Sequence, residues 1–275
     1  MTFGGRYTVV RVLGKGAMGQ VFEAKHTALQ RRCALKVLSL YPCSEKQERR
    51  FIREARALAS IDSPYVAQVT DFGHEPSVGL FYVMQFVDGE TLEQRLCRER
   101  RLGFEEVVPL AIDLCLALQD VHEQGVIHRD IKPSNISMPS SGPVSVKLLD
   151  FGLAVSLDNS FIGRVTTSRT LIGSLAYIAP EVIQDHPLTP SVDLYALGVV
   201  LYECLTGRLP FVSNTAAEFI RECLSATVPP FSVAAPELEL PAKLEAVVAR
   251  LLDRDPTQRF QSAEAAARAL ASITV

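Results

Sequence analysis

The chain has no excess of basic charge. Its 28 Lys and Arg residues stand against 31 Asp and Glu, a net charge of −3, and the cations are dispersed. That argues against a nucleic-acid surface. The densest basic cluster, Arg98, Arg100 and Arg101, is broken by Glu99 and reads as a solvated helix end. No two of the six cysteines stand at C-x-x-C spacing, and Cys115 and Cys204 fall inside apolar runs as small core residues. A metal cluster or disulfide framework is therefore disfavoured, and a reducing, cytosolic setting fits. Long hydrophobic runs are also missing. The longest apolar helix candidate, Val192 to Leu205, carries Asp193 and Glu203 and is too short to span a bilayer. The first six residues contain no apolar signal core. There is no internal repeat or low-complexity segment. What remains is 275 residues of globular composition, 48% hydrophobic and 21% charged, enough for one large domain or two lobes.

The first 40 residues read as strands. Tyr7 to Leu13 is β-branched and runs into a glycine-rich turn, Gln20 to Lys25 alternates in polarity, and Cys33 to Leu40 gives a third strand. Ser44 opens a helix, with Gln47 completing a capping box and Phe51, Ala55 and Leu58 marking a buried face. Glu54 flanks that face and needs a partner; Glu48, near the other flank, is the lesser candidate. Val66 to Phe72 and Leu80 to Phe86 read as two more strands. Beyond Val87-Asp88-Gly89 the pattern turns helical. Val107 to Glu123 is a long apolar helix closed by Gly125, and Val192 to Leu205 is a buried helix ending at Gly207. The acidic, proline-rich stretch Val228 to Pro241 reads as a connector. The expected organisation is an α+β fold: a small antiparallel sheet lobe with one helix (about 1–86), a hinge at about 85–89, and a larger, mainly helical lobe (about 90–275).

Several clusters carry chemistry. Gly14-Lys15-Gly16-Ala17-Met18-Gly19 has the spacing G-x-G-x-x-G, which alone marks no more than a turn. A strand rather than a helix follows it, favouring a hairpin whose backbone N–H groups approach phosphates over a dinucleotide-binding turn. Lys36 lies among apolar residues at a strand position. It is either an edge lysine with its amine in solvent or a buried ammonium paired with Glu54, eighteen residues on. The run His128-Arg129-Asp130-Ile131-Lys132-Pro133-Ser134-Asn135 puts a carboxylate, two cations and a carboxamide within eight residues, and Asp150-Phe151-Gly152 follows. Asn135 and Asp150 offer hard oxygens suited to Mg²⁺, and Asp130 could orient or deprotonate a hydroxyl. Such a kit suits phosphoryl transfer, where positioning and electrostatics carry most of the catalysis.

These motifs, with Ala179-Pro180-Glu181 after them, occur in the order found in protein kinase domains, a pattern described for that family in general terms. The chain resembles that family over essentially its whole length. Val87-Asp88-Gly89-Glu90-Thr91-Leu92 and Asp255-Pro256-Thr257-Gln258-Arg259 resemble the eukaryotic-like (Hanks-type) Ser/Thr kinases of bacteria. The resemblance implies an ATP- and Mg²⁺-dependent kinase, with Mn²⁺ as a substitute metal, acting on Ser and Thr of proteins. Asp130 would receive or orient the substrate hydroxyl proton, Lys132 would stabilise the transferring group, and Asn135 and Asp150 would hold the metal. Lys36, tethered by Glu54, would bind phosphates. The loop Leu13-Gly14-Lys15-Gly16-Ala17-Met18-Gly19-Gln20-Val21 would cover the nucleotide. Ala34, Val21 and the segment from Gln85 to Val87 would enclose adenine, above Ser137, with Met84 guarding the back pocket. Glu181 and Arg259 would form a buried ion pair, and Asp193 would hold the catalytic-loop backbone. Val69, Leu58, Phe151 and His128 would stack between the lobes.

The chain departs from the family pattern at several positions. Ser137 stands where a large apolar residue is usual and would weaken nucleotide packing by about 1 kcal/mol. Gln85 replaces a hinge Glu whose backbone alone matters. Ser174 stands where Thr is common, and the segment from Met138 to Pro143 carries extra residues at a turn. Val155 stands where a Lys or Arg often helps bind a phosphorylated loop. Arg129 remains as a guanidinium suited to phosphate, and Thr166, Ser168 and Thr170 are candidate phosphosites. A pseudokinase-type binding module is the alternative; Lys36, Asp130 and Asp150 speak against it. The expected partners are protein substrates and a second copy through the small lobe, with no nucleic acid and no membrane contact in this segment. The expected location is cytoplasmic, with a membrane anchor if the full protein is longer.

Overall fold

The structure is a computed structural model that describes residues 1–16, 19–38, 44–75, 78–142, 144–151 and 175–274. Ala17, Met18, Val155, Thr166, Ser168, Thr170 and Ser174 lie outside the described residues. The first sheet has six strands: β1 (Thr2–Phe3), β2 (Tyr7–Gly16), β3 (Gly19–His26), β4 (Arg32–Leu38), β5 (Val69–Glu75) and β6 (Gly79–Gln85). They run in the order β1-β2-β3-β4-β6-β5, every neighbouring pair antiparallel. The hairpin β2–β3 closes with Gly16 opposite Gly19. Gly19 has φ +148°, and a Cβ there would overlap the carbonyl oxygen of Val37, so only glycine lets the hairpin lie this close to β4.

Helix α1 (Glu45–Ala59) packs on the sheet between β4 and β5 in chain order. Ser44 and Gln47 form the capping box read from the sequence, and Phe51, Ala55 and Leu58 are its buried face. The fourth and fifth long strands begin and end differently from expectation. Val66 does not belong to β5; it makes an isolated parallel bridge to Leu148, and the Ala67 N–H donates to the Leu148 carbonyl. The chain entering β5 is thus already committed to the other lobe. Phe86 likewise leaves β6 for the hinge.

After the hinge come β7 (Gly89–Thr91), α2 (Leu92–Glu99), α3 (Phe104–Glu123), β8 (Ile136–Pro139) and β9 (Lys147–Leu148). β7, β8 and β9 form a small second sheet. Then follow α4 (Pro180–Ile183), α5 (Ser191–Thr206), α6 (Ala216–Ser225), α7 (Phe231–Ala234), α8 (Ala242–Leu251) and α9 (Ala263–Ala271). The one-turn helix α7 lies within the stretch read as a plain connector. α5 is buried on every side, as a helix apolar all round must be. Gly207 ends it in the left-handed conformation, φ +70°. Among the described residues no helix is long and apolar enough to cross a membrane. One apolar core runs from α1 and β5 through α3 to α5, α8 and α9, and a smaller one fills the other face of the first sheet. The cleft between the first sheet and the helices holds the residues with chemistry.

Candidate active site

The segment from His128 to Asn135 is fixed from below by α5. Asp193 in its first turn is fully buried, and its carboxylate accepts the backbone N–H groups of His128 and Arg129, each at 2.8 Å. His122 Nε2 meets the same carboxylate at 2.8 Å. Burial alone would raise the Asp193 pKa; the His122 bond and charge and the Arg129 N–H outweigh it, and the net shift is downward. A carboxylate that satisfies two consecutive N–H groups locks the loop's backbone in one conformation. That lock includes Arg129 in the left-handed region, φ +67°.

Within the loop, three side chains close on one another. Lys132 Nζ lies 2.8 Å from Asp130 Oδ1, and Asn135 Nδ2 donates to Asp130 Oδ2 at 2.7 Å and to the Asp130 carbonyl at 2.7 Å. Asn135 is buried and its own carbonyl accepts the Leu149 N–H at 2.8 Å, which ties the loop to the strand leading to Asp150. A carboxylate has about four lone-pair sites, so Asp130 keeps acceptor capacity for an incoming hydroxyl. His128 is wholly buried and stacks on Phe151 with ring centroids 4.7 Å apart. Its Nε2–H donates to the Leu149 carbonyl at 2.8 Å, and its Nδ1 accepts the Asp130 N–H at 3.3 Å. Those partners select a neutral imidazole, and burial holds its pKa below the ordinary value. His128 thus packs and orders the loop without serving as a proton carrier.

Across the cleft, Lys36 on β4 is buried, not an edge lysine in solvent. The expected tether to Glu54 is not made. Lys36 Nζ instead pairs with Asp150 Oδ2 at 2.5 Å, across 114 residues of sequence. Glu54 meets Arg50 Nε, one turn earlier on α1, at 3.1 Å. Two carboxylates compete for one buried ammonium; Asp150 holds it, and Arg50 offers Glu54 another cation. Asp150 has φ +35°, a region that side chains enter at a cost. Its second oxygen accepts the hydroxyl of Tyr82, a fully buried residue on β6. Burial, with the Asp150 charge beside it, pushes the Tyr82 phenol far above its ordinary pKa, so it is a hydrogen-bond donor at neutral pH.

Other residues predicted for the nucleotide site lie on the first sheet, in the hinge and on β8. Lys15 faces Gln20 and Gly14 faces Val21 in the β2–β3 hairpin, with Leu13 just before it. Ala34 is buried opposite Met84, and Cys33 is opposite Gln85. The Gln85 N–H is used by the Gln68 carbonyl at 2.9 Å. Val87 follows in the hinge. Ser137 is buried on β8 between Thr91 and Lys147. Below the cleft, Arg259 makes a two-pronged pair with Glu181, at 2.6 and 2.8 Å, entirely buried.

Two features escaped the sequence reading. One is Tyr82, hidden in the apolar run from Leu80 to Met84, whose only polar atom turns out to reach Asp150. The other is Arg32, which bridges Glu23 at 2.8 Å and Asp88 at 3.0 Å and lies 4.1 Å above the Phe86 ring. It clips the sheet to the hinge. Burial tends to raise the Glu23 pKa, but Arg32 and Arg11, one on each oxygen, pull it down. No local pattern marks a strand arginine as a hinge clip.

The donor set suits a hard divalent cation. Asp130, Asn135 and Asp150 offer carboxylate and amide oxygens, and Asn135 turns its nitrogen to Asp130, which points its amide oxygen elsewhere. Comparisons with known proteins give the family. The family model described as "Protein kinase domain" matches residues 7–270. The Serine/threonine-protein kinase pkn3 of Myxococcus xanthus is 38% identical over 264 residues, covering 94% of this chain and 48% of that protein. PrkC of Bacillus subtilis is 33% identical, over 94% of this chain and 39% of that protein. The crystal structure of the Mycobacterium tuberculosis PknI kinase domain superposes with a TM-score of 0.75 at 30% identity, over 98% of this chain and 96% of that one. The chain spans about half the length, or less, of the first two curated relatives.

Proposed function

The chain belongs to the protein kinase domain family, and from that premise we propose that it transfers the γ-phosphoryl group of ATP to Ser and Thr hydroxyls of proteins. The observation that carries the reading is the convergence of Lys132 and Asn135 on the Asp130 carboxylate, at 2.8 and 2.7 Å, together with a buried Lys36–Asp150 pair. Asp130 orients the acceptor hydroxyl and takes its proton. Lys132, already beside that carboxylate, neutralises charge on the group in transit. Asn135 and Asp150 would hold magnesium, which would offset the negative charge of the phosphates. Lys36 turns from Asp150 to the phosphates once Glu54 takes up its ammonium. The arrangement described above is therefore a resting one. The hairpin around Gly14 and Gly16 covers the phosphates, and adenine sits between Ala34 and Ser137. Because Gln68 occupies the Gln85 N–H, the carbonyl of Gln85 and the N–H of Val87 read the base.

Incubation with Mg-ATP followed by phosphosite mapping tests the reading, with Asp150→Asn as control. Phospho-Ser or phospho-Thr with the natural sequence only is expected; no transfer to itself or to a generic protein would favour a pseudokinase. Autophosphorylation at Thr166, Ser168 or Thr170, received by Arg129, extends the proposal. It fails if phosphatase treatment leaves kcat/KM unchanged. A cytoplasmic location, Mn²⁺ as a substitute metal and a homodimer through the small lobe complete it; sedimentation at rising concentration reads the last.

A further inference from the structure

The Lys36–Asp150 pair has a third member. Lys36 and Tyr82 are directly opposed across β4 and β6, so both side chains leave the same face of the sheet. The Lys36 ammonium lies 6.0 Å from the Tyr82 ring centre. Each reaches a different oxygen of Asp150, the ammonium Oδ2 and the phenol Oδ1. The hydroxyl is not needed for packing, since a phenyl ring would fill the same buried space. Its one partner among the described residues is Asp150. A buried hydroxyl without a partner is costly, so Tyr82 resists letting go.

We propose that Tyr82 is a further determinant of the divalent-cation site: its phenol clasps Asp150 at rest and competes with a metal ion for that carboxylate. This rests on the kinase reading, in which Asp150 is a metal ligand. Metal binding then competes with two hydrogen bonds to a charged acceptor, one from the ammonium and one from the phenol. The ammonium has alternative partners, in Glu54 and in the phosphates. The phenol has none among the described residues, so it sets how much metal is required. Tyr82 is a positioning residue in this scheme and does not touch the reacting atoms.

The test is a titration with Mg²⁺ of the natural protein, Tyr82→Phe and Asp150→Asn, each with a fluorescent ADP analogue, so that no phosphoryl transfer is needed for the readout. Tyr82→Phe should bring the Mg²⁺ midpoint down by roughly tenfold, the scale of one hydrogen bond to a charged group. Tyr82→Met, which fills the space without a hydroxyl, should shift the midpoint the same way and serves if the Phe variant folds poorly. An unchanged or raised midpoint in both variants overturns the clasp; a raised one is what loss of a merely structural contact would produce. If Asp150→Asn shows the same Mg²⁺ dependence as the natural protein, Asp150 is not a metal ligand. The kinase reading of this site then falls, and the clasp with it.

Discussion

Replacing Arg259 by Leu should be among the most damaging single changes in the large lobe. The guanidinium is wholly buried and uses nearly all of its donors. Two go to Glu181 at 2.6 and 2.8 Å, and others go to the carbonyls of Asp253 at 2.7 Å, Ser191 at 3.0 Å and Arg254 at 3.3 Å. One side chain thereby ties α4, the start of α5 and the loop before α9. Its loss leaves a carboxylate that is also buried without a counter-charge, a change that costs about 3–5 kcal/mol. Against a total stability of about 5–15 kcal/mol, that is a fifth or more. With a urea slope of about 3 kcal/mol/M, the midpoint of the large-lobe transition, followed by circular dichroism, should fall by about 1–1.7 M. The double variant Arg259→Met/Glu181→Met should recover at least half of that, because no orphan charge remains and apolar pairs of similar volume substitute well for buried ion pairs. A loss below 1 kcal/mol in the single variant, or a double variant no better than the single, would refute the argument that the orphaned carboxylate dominates.

His128→Phe should remove a pH dependence while keeping the ring stacked on Phe151. Burial holds the His128 pKa below its ordinary value near 6.5, so the unfolded chain takes up a proton that the folded one refuses. The stability present above pH 6.5 is lost as the pH falls through and below it, and a smaller loss between pH 7.5 and 5.5 in the variant, by denaturant titration, is the expected outcome. Glu54→Gln should lower kcat/KM at least tenfold with Tm nearly unchanged, because the carboxylate is needed only when Lys36 turns to it; unimpaired kinetics would mean the resting pairs are the working ones. Gly198→Ala should destabilise by about 1–3 kcal/mol. An added Cβ in α5 would lie 2.8 Å from Leu251 Cβ and 3.2 Å from the Leu251 backbone, and thermal unfolding reads the loss.

Local order was the legible part of this chain. The Ser44–Gln47 capping box, the apolar periodicity of α3 and α5 and the glycine at each of their ends act over a few residues, and each element lies where its pattern places it. The loop from His128 to Asn135 was legible for the same reason: Asp130, Lys132 and Asn135 fall within six residues, and the last two bond the first directly. The beginning of β5 was not legible, because Val66 and Ala67 are claimed by Leu148 from the far side of the chain. The β7–β8–β9 sheet was not legible because strands of two to four residues are too short to show alternation. Tyr82 read as one more apolar strand residue, since nothing nearby in sequence says where a phenol hydroxyl will end.

The wrong expectation about Lys36 has a different origin, and it bears on how the site works. The motifs name the groups that meet in phosphoryl transfer, but they do not say which pairs form at rest. Asp130, Lys132 and Asn135 are neighbours in one loop whose backbone Asp193 pins from a helix buried on every side, so that set has one arrangement. Lys36, Glu54 and Asp150 come from a strand, a helix and the segment after β9, and each has a second partner at hand. Glu54 has Arg50, Asp150 has Tyr82, and Lys36 can choose between the two carboxylates. Moving Lys36 from Asp150 to Glu54 leaves Asp150, among the described residues, with the neutral Tyr82 phenol, so a cation at Asp150 has to balance the exchange. On the proposed reading the proton-handling groups are rigid and the phosphate- and metal-handling groups switchable, so control of activity would act on α1 and Asp150 and leave the loop from His128 to Asn135 in place.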